Sequence, residues 1–254
     1  MFQQSIHLIR SGARDLADLL LPPSCFSCGG EVSAHHEMCA PCWRALNFVT
    51  EPYCEVCGFP FEHGTASGPT LCAGCLRRTP NFDVARSALR YDGASRRLVL
   101  GLKYGDRTEG TRTFARWLAR SAGPVIKGAE AVIPVPLHPF RLFRRRYNQA
   151  GLMAGALARE LGCRFDARSL YRKIPTPSQG GLSRRQRFKN VRSAFDVRKA
   201  RRQVISGSHV VLVDDVMTTG ATVETCARVL KRAGAARVSV LTLTRVAEPM
   251  PWPT

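Results

Sequence analysis

Two patterns of apolar positions divide this chain. Residues 2–20 place Phe2, Ile6, Ile9, Ala13, Leu16 and Leu20 three or four apart. That spacing predicts one apolar helix face, for docking onto the rest of the protein or onto a partner or membrane surface. Leu21-Pro22-Pro23 ends the run, because proline cannot continue a helix. From Asn81 onward, short apolar runs alternate with helical spacing. Residues 84–91, 131–136, 209–214 and 237–245 read as strands, and 169–173 as a weaker one. Residues 93–104, 109–120, 149–161 and a stretch ending near Ala233 read as helices. The alternation predicts an α/β domain, a mostly parallel sheet flanked by helices. Ligand then belongs at the carboxyl ends of the strands.

One strand end carries candidate chemistry. The run Val210-Val211-Leu212-Val213 leads into Asp214-Asp215, then into Thr218-Thr219-Gly220-Ala221-Thr222 and a helical pattern. Strand, small-residue loop and helix aim backbone N–H groups and a positive helix end at a phosphate. The acids ahead of it suit sugar hydroxyls or a metal. A phosphorylated sugar is the implied ligand. No Gly-Lys-Ser/Thr follows, and no G-x-G-x-x-G is present, so nucleotide loops of those kinds are excluded.

Between the first helix and Asn81 the pattern is different. Cys25/Cys28, Cys39/Cys42, Cys54/Cys57 and Cys72/Cys75 form four C-x-x-C knuckles. That spacing lets both sulfurs face one tetrahedral Zn²⁺. Eight thiolates make two structural sites. Pairing in sequence order puts Cys25, Cys28, Cys39 and Cys42 on one ion, and Cys54, Cys57, Cys72 and Cys75 on the other; a crossed pairing is left open. The block is poor in apolar residues, so zinc is expected to supply its folding energy. Removing the metal is then expected to unfold 25–75 and leave the rest folded. Cys163 and Cys226 stand alone as small hydrophobes. The organisation read here is an amphipathic helix over 1–22, a double zinc ribbon over 23–80 and an α/β domain over 81–254.

Charge changes the picture of the partners. Lys+Arg number 38 against 19 Asp+Glu, a net +19, which calls for polyanions. The excess concentrates between Arg141 and Arg202, where the acids are Glu160, Asp166 and Asp196. One basic loop follows AVIPVP and holds His138, Arg141, Arg144, Arg145, Arg146, Tyr147, Asn148 and Gln149. Arginine forks there suit a diphosphate. A second, 175–191, carries Pro, Ser and Gly and then Arg184, Arg185, Arg187 and Lys189. It reads as a mobile basic lid that excludes water, or as a basic linker. No apolar run reaches the ~18 residues of a membrane span. Charged residues interrupt any secretory signal, so a reducing, cytoplasmic location is expected. Cysteines there argue for metal over disulfides.

The string HVVLVDDVMTTGAT resembles the phosphoribosyl pyrophosphate (PRPP) loop of type I phosphoribosyltransferases. LKYG at 102–105, IPVPLHP at 133–139, RYNQA at 146–150 and TPSQGGLSRRQRFKNV precede it, after the four knuckles. In that order these segments resemble the ComF family, phosphoribosyltransferase-like competence proteins with an N-terminal double zinc ribbon. The family usually has glycine where this chain has Arg146.

The resemblance implies a PRPP site. Asp214 and Asp215 would bind ribose hydroxyls or the shell of Mg²⁺, and Thr218, Thr219, Gly220, Ala221 and Thr222 the 5′-phosphate. Lys103, Arg144 and Arg145 would hold the pyrophosphate, and Arg184 and Arg187 would close from the lid. Purine-salvage relatives carry an acid at the position of Thr218, so the usual general base is missing here. Two functions remain. In one, the protein is a transferase with an unknown acceptor, linked to DNA uptake through single-stranded DNA and other uptake proteins. In the other, it is a catalytically silent nucleic-acid-binding module that senses PRPP.

Overall fold

The computed structural model describes residues 22–62, 70–176 and 183–247. The expected helix over 2–20, residues 177–182 of the second basic loop and residues 248–254 lie outside them. The central sheet has five parallel strands in the order β1-β7-β6-β2-β3. These are β1 (Val84–Arg90), β2 (Ala131–Pro134), β3 (Arg164–Phe165), β6 (His209–Met217) and β7 (Arg237–Arg245). A second, antiparallel pair joins β4 (Leu170–Arg172) to β5 (Phe195–Val197).

The unbroken apolar run of β6 follows from burial on both faces. Side chains alternate along a strand, so Val211 and Val213 enter one core while Val210 and Leu212 enter the other. Helices α3 (Gly93–Tyr104), α4 (Thr111–Ala122) and α6 (Gln149–Leu161) cover the first face with Leu98, Phe114, Leu118, Met153 and Leu157. On the second face, the short α8 (Arg202–Ile205) supplies Ile205, and α9 (Ala221–Arg232) supplies Val223, Cys226 and Leu230. Asp92 fixes the start of α3, accepting from the N–H groups of Ala94 and Ser95 at 3.0 and 2.9 Å. Such a capping box satisfies donors that the first turn leaves free.

Strand β6 runs three residues beyond the expected Asp214, to Met217. Both acids therefore lie in the strand's last turn of pleat. Part of each basic loop is helical. Residues Pro139–Arg145 form helix α5, and Arg184–Val191 form helix α7, capped by Ser183 with Gln186. Helix α7 packs against α9, and Val191 is fully buried.

The cysteine block covers the edge of the sheet. Two short helices, α1 (Ala40–Arg44) and α2 (Ala73–Arg77), each open immediately after a cysteine. The backbone between the tetrads pairs with β1: Val49 N–H donates to Ala88 O at 2.9 Å, Arg90 N–H to Asn47 O at 2.8 Å and Ala85 N–H to Val56 O at 2.7 Å. An otherwise open strand edge is thereby closed. Phe26 stands edge-on to Phe114 at 5.6 Å, and Leu46 joins the same core. Cys54 and Cys57 lie in the other core beside Phe82 and Ala85.

Candidate functional site

At the carboxyl end of β6, Asp215 is buried and Asp214 half-buried. Lys103 Nζ, from the last turn of α3, lies 3.1 Å from Asp215 Oδ2. Asp214 Oδ1 accepts the Asp215 N–H at 2.9 Å. Burial, then the Asp215 charge, push the Asp214 carboxyl up to about 7. The Asp215 N–H, Lys103 and Arg172 pull it down, but less strongly. At neutral pH Asp214 therefore stands between its two forms, one accepting hydrogen bonds and one donating.

The next residues turn the chain into α9. Gly220 sits at φ +78°, a left-handed conformation that other residues adopt only at a cost. A Cβ there would also meet Met217 Cε at 3.1 Å. Ala221 N–H reaches Thr219 Oγ1 at 3.4 Å, and Glu224 N–H closes the first helical turn on Gly220 O at 2.9 Å. The loop 218–222 thus stands at the N-terminus of a twelve-residue helix, where partial positive charge accumulates.

The basic segment after β2 packs against the end of α3. His138 Nδ1 accepts from Phe140 N–H at 3.3 Å at the start of α5. Arg146 ends that helix at φ +64°, so the residue in the family's glycine position still adopts the conformation glycine favours. Tyr147 OH donates to Leu102 O at 2.8 Å, and Asn148 Nδ2 to Val135 O at 3.1 Å. These bonds hold α5 against the end of α3 that carries Lys103. Arg145 lies over the Tyr104 ring at 5.1 Å and donates to its hydroxyl at 3.2 Å. Arg144 is exposed on the same helix.

The sequence-predicted residues therefore separate. Lys103, Asp214 and Asp215 converge, with the 218–222 loop following. Arg145 is engaged with Tyr104. Arg184 and Arg187 belong to helix α7. Arg172 was not foreseen. It is buried, its charge faces Asp214, and it donates to Thr176 Oγ1. Arg141 Nη2 reaches the backbone oxygen of the same Thr176 at 2.6 Å. No local motif marks Arg172, because it sits in a short, weakly patterned strand.

The cysteines gather in sequence order, Cys25/Cys28/Cys39/Cys42 and Cys54/Cys57/Cys72/Cys75, with all sulfurs of each set within 4.8 Å of one another. Sulfur separations of 3.7 Å (Cys28–Cys39) and 3.6 Å (Cys57–Cys72) match the ~3.8 Å edge of a tetrahedron with Zn–S bonds of about 2.3 Å. Both tetrads fit zinc ribbons. In the second, hydrogen bonds from Cys57, Cys72 and Cys75 hold the Cys54 thiol far below the usual range, while those to Cys54, Cys57 and Cys72 push Cys75 up. Zn²⁺ would supply the charge that lets all four ionise.

This second tetrad is joined to the 218–222 loop and the helix behind it by two links. Arg245, buried at the end of β7, donates from Nη1 to Cys57 O and Met217 Sδ, both at 2.9 Å, and from Nη2 to Cys57 Sγ at 3.5 Å. Glu224, in the first turn of α9, accepts from Asn81 N–H at 2.8 Å and lies 3.4 Å from Arg78.

Residues 16–76 match the double zinc ribbon domain, and 148–250 the phosphoribosyl transferase domain. The DNA utilization protein YhgH of Salmonella typhimurium is 34% identical over 236 residues, which span 89% of this chain and 99% of that one. Competence protein F of Haemophilus influenzae is 31% identical over 87% of this chain and 96% of its own. The chain belongs to the ComF family. A more distant member, competence protein ComFC of Bacillus subtilis, is 26% identical over 82% of this chain. Among solved structures, a glutamine PRPP amidotransferase from B. subtilis is 21% identical, with a TM-score of 0.38 over 56% of this chain and 30% of that one. No helix among the described residues is long and apolar enough to cross a membrane.

Proposed function

We propose that this protein binds PRPP with Mg²⁺ at the end of β6 and works on single-stranded DNA during DNA uptake or utilisation. The observation that carries the PRPP reading is the convergence of Asp214, Asp215 and Lys103 ahead of a glycine-turned loop at a helix N-terminus. The phosphoribosyl transferase match over 148–250 supports it. Relatives named for DNA utilization and competence support the DNA role, as does the net charge of +19.

In this reading the 5′-phosphate sits on the backbone N–H groups and hydroxyls of Thr218–Thr222. Asp214 and Asp215 take the ribose hydroxyls. Departure of the diphosphate leaves oxocarbenium character at C1 and builds negative charge on the leaving group. Lys103, Arg144 and Arg145 stabilise that charge. Mg²⁺, when bound, neutralises part of it. Arg184 and Arg187, the lid residues of the family resemblance, close over the diphosphate.

Thr218 offers no carboxylate to an incoming base, and this favours a second reading in which the site senses PRPP without turning it over. A pyrophosphate-release screen separates the two. The protein, PRPP and Mg²⁺ are combined with bases, nucleotides or single-stranded DNA ends. Release with one acceptor class establishes the transferase. PRPP binding with no release from any class establishes the sensor.

A further inference from the structure

Helix α5 presents aromatic rings that the PRPP site, which takes Arg144 and Arg145, does not use. Its sequence, PFRLFRR, followed by Arg146 and Tyr147, sets aromatic rings among arginines. Phe140 is 66% exposed and Phe143 87% exposed; Tyr104, at the end of α3 against Arg145 of α5, is 71% exposed. Phe140 and Phe143, three apart on a helix, share a face. Isolated exposed hydrophobes are ordinary, but clustered rings with a charged rim mark a binding surface. The rim here is cationic. Arg144 is exposed, Arg145 stacks on Tyr104, and Arg146 lies 3.6 Å from the exposed Asp106.

We propose that Tyr104, Phe140 and Phe143, with Arg144 and Arg146, form a stacking platform for single-stranded nucleic acid on the rim of the PRPP site. This rests on the DNA half of the function proposed above and gives it a location. Charge complementarity selects a polyanion. Ring faces select unpaired bases, since each base presents a π-face to a stacked aromatic side chain. Arg145 already occupies the Tyr104 face with a planar cation, and a planar base takes an equivalent place. A lipid surface fits less well, because α5 spans only seven residues and interfacial helices bury a longer apolar face. The position also has a consequence. Tyr104 follows Lys103, which pairs with Asp215. A strand lying on the platform passes directly beside the site where PRPP would sit.

The test uses the full-length, zinc-loaded protein and fluorescence anisotropy. Probes are a labelled oligothymidylate and an abasic oligomer of the same length. Phe140→Ala/Phe143→Ala should weaken oligothymidylate binding about 30-fold, given about 1 kcal/mol per lost stack at the lower bound. The same variant should bind the abasic oligomer as wild type does, and keep the wild-type melting temperature and PRPP heat. Arg144→Gln/Arg146→Gln should lower the slope of log affinity against log salt by about 1.4, two phosphate contacts at about 0.7 each. Equal oligothymidylate affinity in wild type and the double-phenylalanine variant overturns the platform. So does a wild type that binds the abasic oligomer equally well. A wild type that ignores every oligomer yet binds PRPP would instead refute the DNA half of the proposed function, and the platform with it.

Discussion

Arg245→Met is a demanding test of how the cysteine block and the 218–222 loop are joined. Arg245 is buried and lies in the second core, between Cys57 and Met217. Methionine fills similar space but donates nothing. Cys57 O loses its 2.9 Å partner, and Cys57 Sγ its 3.5 Å one. Four thiolates around Zn²⁺ carry net negative charge, and Arg245 is the cation that meets it at Cys57. Outer partners of this kind are worth about 10–100-fold in metal affinity. The orphaned carbonyl alone costs about 1–3 kcal/mol. A loss near 2 kcal/mol lowers the melting temperature by roughly 4–8 °C in a chain of this size. The loop should feel the change as well, because Met217 stands beside Gly220. The assay is competition with a chromogenic zinc chelator. The tetrad of Cys54, Cys57, Cys72 and Cys75 should release its ion 10–100 times more readily, and the tetrad of Cys25, Cys28, Cys39 and Cys42 should not change. PRPP heat should fall in parallel. Equal release from both tetrads, or unchanged release with an unchanged melt, would refute the reasoning.

Three further outcomes follow from the geometry. Full chelation should lower the melting of the whole described fold in a single transition, because Phe26 and Leu46 belong to one core and Cys54 and Cys57 to the other; separate loss of 25–75, seen by hydrogen exchange with β6 still protected, would restore an independent boundary near residue 80. Asp214 titrates near 7 in the fold against about 3.9 unfolded, so the folded state holds a proton that the unfolded state releases. Stability should then fall as pH rises from about 4 to 7, and Asp214→Asn should remove that part of the slope; parallel melting curves across this range would contradict the assignment. Arg146→Gly should raise stability by ~1 kcal/mol in urea melts, since Arg146 holds φ +64° and its exposed pair with Asp106 contributes little; a loss of stability would show that the position carries no strain.

Much of this was legible in the sequence because it was written in local spacing. The knuckles announced tetrads, and the apolar run of β6 announced a strand buried on both faces. What failed to show was set by tertiary structure. Nothing in local spacing singles out Arg172 or Arg245, which burial puts against Asp214 and Cys57 respectively. Helix α5 was hidden because its exposed rings and arginines give no apolar stripe. The second basic loop held a readable signal, Ser183 with Gln186 three residues on, but the preceding Pro, Ser and Gly outweighed it. Strand β5 is only three residues long, below what periodicity can mark.

The central claim is that the acid pair and the loop behind it hold PRPP. Isothermal titration of PRPP with Mg²⁺ into wild type and into Asp214→Ala/Asp215→Ala addresses it most directly. The wild type should give a saturable heat with one site per chain, absent without Mg²⁺. The double variant should give none, while keeping both zinc ions and a cooperative melt. Equal heats from the two proteins would contradict the account.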